Sequence, residues 1–308
     1  MSVFFPVLRV WKKISRFFCQ SSPSTLILGQ AGDPLPEGYV YYRQSFEYLK
    51  GEARNPEKNV IIKRSGRYAV RTEVQPNVFF ESHNTDEEPA IEPFPQDRLI
   101  LWETLTRTDC PSGWKRGKKH HNLRQIGVSV LNGNVEYWKK WSSHARRHRK
   151  KWLSQKIFSI QEVSLEDFVK GFLRSNKLPE WRDIFIELLE RRSIKNKHHV
   201  KFFGILNESG TVVAGLAVLD LPDVSTSKHM IAFFDDALSN TSVNYGLIDH
   251  WHQHCLRKNI CFLDFGIFWH PGDKKEFQGF SQFKSQFNIH YIVLLPELER
   301  WCKAGEVW

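Results

Sequence analysis

The sequence predicts an α/β protein: a mixed sheet with helices on its faces in the C-terminal part, and a smaller, irregular N-terminal part. Three observations carry that prediction. Behind a basic helix over Glu136–Ser154 the patterns run strand, helix, helix, three strands, helix, strand, helix, strand. Three consecutive strands suit a meander, and a strand–helix–strand succession suits a crossover onto the same sheet. Before residue 134 the apolar pieces are short and separated by turn-rich stretches. With 308 residues, 41% apolar and 25% charged, the chain can bury a core of ordinary depth in one large domain or two smaller ones.

Residues 1–25 open with a sharply sided helix over 3–18. Phe4, Val7, Leu8, Trp11, Ile14 and Phe18 share one face, and Arg9, Lys12, Lys13 and Arg16 share the other. The basic residues break the apolar centre that a signal peptide requires. The pattern suits a helix lying in an anionic membrane interface or, equally, one docked on the protein's own core. Residues 26–134 form the irregular region, with strand-like pieces at Tyr39–Tyr42, Val60–Lys63, Tyr68–Val74 and Leu99–Leu101. The acidic, proline-spaced run 86–95 reads as an exposed loop. The basic run 114–121 reads as a loop that is either solvated or part of an anion site.

The patterns sharpen in residues 135–308. A basic helix over Glu136–Ser154 precedes a strand at Ile157–Val163. Ser164 is placed to cap the next helix, with Asp167 three residues on. A second helix, from about Glu180 to Ile194, starts behind Pro179. Val200–Leu206 and Val212–Leu221 make a hairpin around Asn207-Glu-Ser-Gly210. A strand at His229–Phe234 leads to a helix from Val243. Then come a strand at Ile260–Gly266, a short helix over Gly279–Asn288 and a strand at Ile289–Leu295.

Charge and cysteine usage narrow the function classes. The formal charge of +10 favours polyanionic partners such as nucleic acid, phosphorylated precursors or an anionic membrane face. Five dispersed cysteines without a C-x-x-C pair speak against a disulfide framework or a structural zinc. No apolar run approaches the roughly 20 residues needed to span a bilayer, so the expected location is the cytoplasm, with peripheral contact at the inner membrane face through residues 3–18. His250 and His254 share a helix face at zinc-pair spacing, but no third ligand accompanies them, and no metal is expected. No G-x-S-x-G, Walker or H-E-x-x-H motif occurs.

Two stretches carry a family resemblance that covers roughly residues 125–308. One is Gly127-Val-Ser-Val-Leu131 followed by the basic helix through Arg146, Arg147, Arg149 and Lys150. The other is Leu263-Asp264-Phe-Gly266 followed by Gly279-Phe-x-x-Phe283-Lys284-x-x-Phe287. Together they resemble the FemAB-like branch of the GNAT acyltransferases. The resemblance implies a GNAT-like fold in the C-terminal part, with the irregular region 26–134 as a reduced GNAT-like domain. It implies transfer of an aminoacyl group from aminoacyl-tRNA to an amine, usually of a cell-wall precursor, with Phe283 and Lys284 at the catalytic centre. Ordinary GNAT enzymes use acetyl-CoA, whose pyrophosphate rests on a glycine-rich turn. The corresponding stretch here, 235–245, contains no glycine and carries Asp235 and Asp236. That departure favours aminoacyl-tRNA over acetyl-CoA as donor.

The chemistry asks chiefly for positioning and for stabilisation of an oxyanion. Lys284 suits the second task, or is an exposed helix lysine. Asp264 can orient an amine or a neighbouring lysine, or tie a strand-end turn through its own backbone. Asp235 and Asp236 can act as base, or answer a helix dipole. Arg146, Arg147, Arg149 and Lys150 can neutralise phosphates of tRNA or of a phosphorylated precursor. Trp138, Trp141 and Trp152 can stack bases, or anchor the helix to the sheet. Two rival functions stay open: an acetyl-CoA-dependent N-acetyltransferase, and a non-catalytic module of the same fold binding nucleic acid or anionic membrane.

Overall fold

The computed structural model describes residues 34–52, 59–64, 67–75, 78–106, 109–117, 125–155, 158–175, 182–269 and 278–306. The helix expected over residues 3–18 lies outside them. Two sheets organise the described chain. The first comprises β1 (Asn59–Arg64), β2 (Arg67–Gln75), β3 (Val78–Asn84), β4 (Asp97–Glu103), β5 (Lys115–Arg116) and β13 (Leu298–Cys302), in the order β1-β2-β3-β4-β13-β5. The second comprises β6 (Gln125–Val130), β7 (Ser159–Glu162), β8 (Val200–Leu206), β9 (Val212–Leu221), β10 (Thr226–Phe234), β11 (Phe262–Phe268) and β12 (Ile289–Val293), in the order β12-β6-β11-β10-β9-β8-β7. Sheet membership does not follow chain order. Gln125–Val130 is an inner strand of the second sheet, and Leu298–Cys302 is an inner strand of the first.

The helices are α1 (Phe46–Glu52), α2 (Ser143–Ser154), α3 (Leu165–Arg174), α4 (Arg182–Lys195), α5 (Val243–Arg257) and α6 (Gln278–Lys284). One apolar cluster joins Phe168 and Phe172 of α3 and Leu189 of α4 to Phe202, Ala217 and Leu219 of the second sheet. Another joins Trp152 of α2 and Trp251 of α5 to Phe203, Leu216 and Leu263. With helices on both faces, β9 is buried at every position, which explains its continuous apolar reading. Among the described residues, no helix is long and apolar enough to cross a membrane.

The C-terminal order matches the sequence reading, and several boundaries are corrected. Glu136–Ser154 is not one helix: a 3-10 turn at Tyr137–Lys140 gives way to extended Trp141, and α2 starts afresh behind Ser142, whose side chain accepts from the Ala145 N–H at 3.1 Å. Ser164 caps α3 as expected, accepting from the Asp167 N–H at 3.0 Å. Tyr39–Tyr42 is no strand. It runs into a 3-10 turn at Tyr42–Gln44 because its rings pack inwards, Tyr39 against Phe262 at 5.3 Å between centroids, instead of pairing along an edge.

β3 escaped the sequence reading because Glu81 interrupts its apolar pattern. That carboxylate is fully buried, bonded by Arg71 at 2.7 Å, by Arg98 at 3.1 Å and by His83 at 2.7 Å. The segment before α1 links the two sheets. Arg43 pairs with Glu103 of β4 at 2.8 Å, and Ser45 donates to Asp223, beyond β9, at 2.7 Å.

Candidate active site at the parting of two strands

β10 and β11 are joined as parallel neighbours over three rungs: Thr226↔Phe262, Ser227↔Leu263 and Lys228↔Asp264. Both strands continue past the last rung, but each keeps its other partner, β10 with β9 to Phe234 and β11 with β6 to Phe268. Irregularities mark the parting, between His229 and Ile231 on one strand and between Asp264 and Ile267 on the other. Gly266 holds φ +72° there, a conformation that strains a residue with a Cβ. The lost ladder leaves backbone groups and side chains facing the gap.

Three ionisable side chains meet there. Asp264 is fully buried; its Oδ1 accepts the Gly266 N–H at 2.6 Å and stands 3.7 Å from Lys228 Nζ, while Tyr39 donates to Oδ2 at 3.5 Å. Asp264 therefore ties the turn through the Gly266 N–H and also faces Lys228. Lys228 Nζ lies 3.5 Å from the centroid of the Tyr42 ring. Lys284, half-buried at the end of α6, donates to the carbonyl of Phe265 at 2.5 Å and to that of Ile267 at 3.5 Å. Its Nζ also lies 4.9 Å from the Phe280 ring centroid. The side chain is turned towards the parted strands and not out to bulk water.

The electrostatics follow from this crowding. Burial, and then the charge of Lys228, hold the Lys284 ammonium down from 10.5 to about 7, while Asp264 acts in the opposite direction. Burial, Lys284 and Lys228 together push His229 well below the usual imidazole range, so it stays neutral. Burial, followed by Asp264, raises the Tyr39 phenol well above its ordinary value. For Tyr42 burial also raises, but Lys228 and Arg43 outweigh it and the net direction is down. Burial and a like charge thus both weaken the hold of Lys284 on its proton.

The other expected site residues lie elsewhere. Phe283 faces away from the gap, its ring 5.3 Å from that of Tyr245 and 5.2 Å from that of Phe287. It braces α6 and lies behind the lysine. On α2, Arg146, Arg147 and Lys150 are exposed, but Arg149 turns inwards to Asp249 at 2.5 Å and stacks on Trp138. Arg149 is thus occupied by a carboxylate and is not a free phosphate ligand. Trp141 and Trp152 are buried, which favours the anchoring reading over base stacking. His254 is bonded to Asp220 at 2.7 Å, and no group of three His, Cys, Asp or Glu suited to a metal occurs among the described residues. Sequence reasoning missed Lys228, Tyr39, Tyr42 and His229. No local signal marked Lys228, since it stands among Thr226, Ser227 and His229 at the polar start of its strand.

Two surface grooves open on the α2–α5 side. One, of about 340 Å³, is lined by Val135, Tyr137, Arg149, Gln253, Leu256 and Arg257. The other, of about 270 Å³, lies beside Trp152 and His250.

A two-sheet α/β molecule whose central parallel pair parts beside a buried carboxylate and a half-buried lysine has the GNAT-like fold that the sequence resemblance implied. Neither a family model nor a curated protein matches the sequence. Solved structures do match the coordinates. The chain is similar to FemX, with a TM-score of 0.63 and 11% identity over 85% of this chain and 92% of that one. It is similar to a conserved protein of unknown function from Bacteroides thetaiotaomicron VPI-5482, with a TM-score of 0.53 and 8% identity over 84% and 90%. It is also similar to the C-terminal domain (DUF2156) of a candidate lysylphosphatidylglycerol synthetase from Agrobacterium fabrum, with a TM-score of 0.50 and 11% identity over 83% and 88%. At these identities the likeness is one of fold, and it agrees with the fold that the sequence resemblance implied.

Proposed function

We propose that this chain is an acyltransferase that moves an aminoacyl or similar acyl group from an activated carrier, such as aminoacyl-tRNA, to an amine of a cell-wall precursor or peptide. The observation that carries the reading is the half-buried Lys284 ammonium, turned to the carbonyls of Phe265 and Ile267 beside the parted strands. The acceptor nitrogen forms the new C–N bond, the ester C–O bond breaks, and the proton lost from nitrogen ends on the leaving hydroxyl. Lys284 as ammonium stabilises the oxyanion, hands its proton to the leaving oxygen and is restored by the proton that the acceptor nitrogen loses. The name of one fold neighbour, a lysylphosphatidylglycerol synthetase, is also that of a protein attaching an aminoacyl group. The exposed Arg146, Arg147 and Lys150 supply a cationic face for the phosphates of carrier or precursor.

The test is transfer of a labelled aminoacyl group from charged tRNA to a lysine-containing precursor peptide. Wild-type protein is expected to transfer, and Lys284→Met to lose about 100-fold or more in rate while keeping its circular dichroism. Equal rates for the two proteins remove the assignment of Lys284. Tight coenzyme A binding by calorimetry, with no use of charged tRNA, replaces the reading with an acetyl-CoA-dependent transferase.

A further inference from the structure

Asp264 and Lys284 occupy one small site, yet the ion pair that Asp264 makes within 4.0 Å is with Lys228. Both oxygens of the carboxylate have neighbours. One oxygen takes the Gly266 N–H and faces Lys228, and the other faces the Tyr39 hydroxyl. Lys228 cannot easily drift from this place. Its backbone is the last parallel rung opposite Asp264, and its ammonium rests on the Tyr42 ring. Among the described residues, Lys284 meets the carbonyl oxygens of Phe265 and Ile267 and the faces of Phe280 and Phe268.

We propose that Lys228 is a positioning residue for Lys284: by engaging the Asp264 carboxylate, it keeps that group from pairing with the Lys284 ammonium and locking it in the charged form. The proposal rests on the transferase reading for its purpose, but the geometry stands without it. Among the described residues, three elements bring charged or titratable groups to the pair. From β10 come Lys228 and neutral His229; from β11 comes Asp264; from the segment before α1 come Tyr39, Tyr42 and Arg43. Removing Lys228 takes away a neighbouring positive charge and frees a carboxylate. Both changes favour the Lys284 ammonium, so the sign of the effect is unambiguous.

The experiment is trace acetylation of the full chain with acetic anhydride from about pH 5 to about pH 11, with Lys284 read out by peptide mass spectrometry. Wild-type protein should show a labelling midpoint for this residue near about 7. Lys228→Met should raise that midpoint by roughly one unit or more, about a tenfold loss of labelling at neutral pH. Lys228→Arg should keep the wild-type midpoint, and adding Asp264→Asn to Lys228→Met should bring it back down. A folded Lys228→Met protein with the wild-type midpoint overturns the proposal. If that variant does not fold by circular dichroism, Tyr42→Leu decides: an upward shift supports the proposal and an unchanged midpoint overturns it. The labelling is independent of acyl transfer. A midpoint that moves in a protein without transferase activity removes only the functional reading, and an active transferase whose midpoint stays fixed removes only the role of Lys228.

Discussion

The Nζ of Lys284 stands 2.5 Å from the carbonyl oxygen of Phe265, so the cation that ends α6 is bonded to the backbone of β11. A regular strand would spend that carbonyl on a neighbour. Here the parallel pairing has ended one residue earlier, and the oxygen is available. A single irregularity in a ladder thereby creates the acceptor that draws a lysine inwards.

This placement makes stability depend on pH in a defined direction. Lys284 binds its proton less tightly in the folded state, about 7, than in the unfolded state, near 10.5. Between those values the unfolded chain holds the extra proton, so stability rises with pH, and the contribution is lost as pH falls through about 7. In urea titrations, wild-type protein should gain on Lys284→Met as pH rises from about 7 towards 10. Parallel curves for the two proteins would contradict the buried placement.

Arg149 and its helix neighbours should separate cleanly. Arg149→Ala strands Asp249, which is 2% exposed and also accepts from Tyr137 at 2.7 Å. Allowing for the partial exposure of the arginine, the expected cost is about 2–3 kcal/mol, measured by denaturant unfolding. Arg146→Glu, Arg147→Glu and Lys150→Glu combined should leave stability within about 1 kcal/mol. The same triple change should weaken tRNA binding and reduce its logarithmic salt slope by about three.

Glu81 should govern acid stability. Burial alone would raise its carboxyl, but the hydrogen bond and charge of His83, then those of Arg71, hold it down to about 2. Its contribution is present above about 4.5 and is lost as pH falls towards 2. Glu81→Gln should destabilise by about 3 kcal/mol at neutral pH, because Arg71 and Arg98 lose their shared counter-charge, and it should flatten the acid limb of the unfolding profile.

Gly246 of α5 lies where a Cβ would run into the indole of Trp152 from α2. Gly246→Ala should cost about 1–3 kcal/mol through overpacking, despite the better helix propensity of alanine. Near-UV circular dichroism should report the displaced tryptophan. A neutral or stabilising result would show that the two helices can part at little cost.

The periodic elements were legible in the sequence wherever one face is buried by neighbours close in the chain. The Val200–Leu221 hairpin, the Ser164 cap and the strand–helix–strand succession after residue 226 follow from alternation, capping and turn chemistry. Lys284 was left by the sequence as either a catalytic cation or an exposed helix lysine, and only the fold turns it towards the carbonyls of Phe265 and Ile267. β3 was not legible, because an acidic residue in a strand reads as a surface position until its arginine partners on β2 and β4 are known. Arg149 was misread for the related reason that one helix face carries both exposed and paired cations, and only Asp249 of α5 tells them apart.

The order of elements, the positive charge and the FemAB-like motifs were written in the chain, since each depends on residues a few positions apart. Where the ladder between β10 and β11 ends, and which lysine answers Asp264, depended on contacts between residues 36 positions apart or, through Tyr39, 225 apart. Local spacing cannot encode such meetings. They arise only when packing brings strand, helix end and N-terminal aromatic segment to one point and removes water from the charges gathered there.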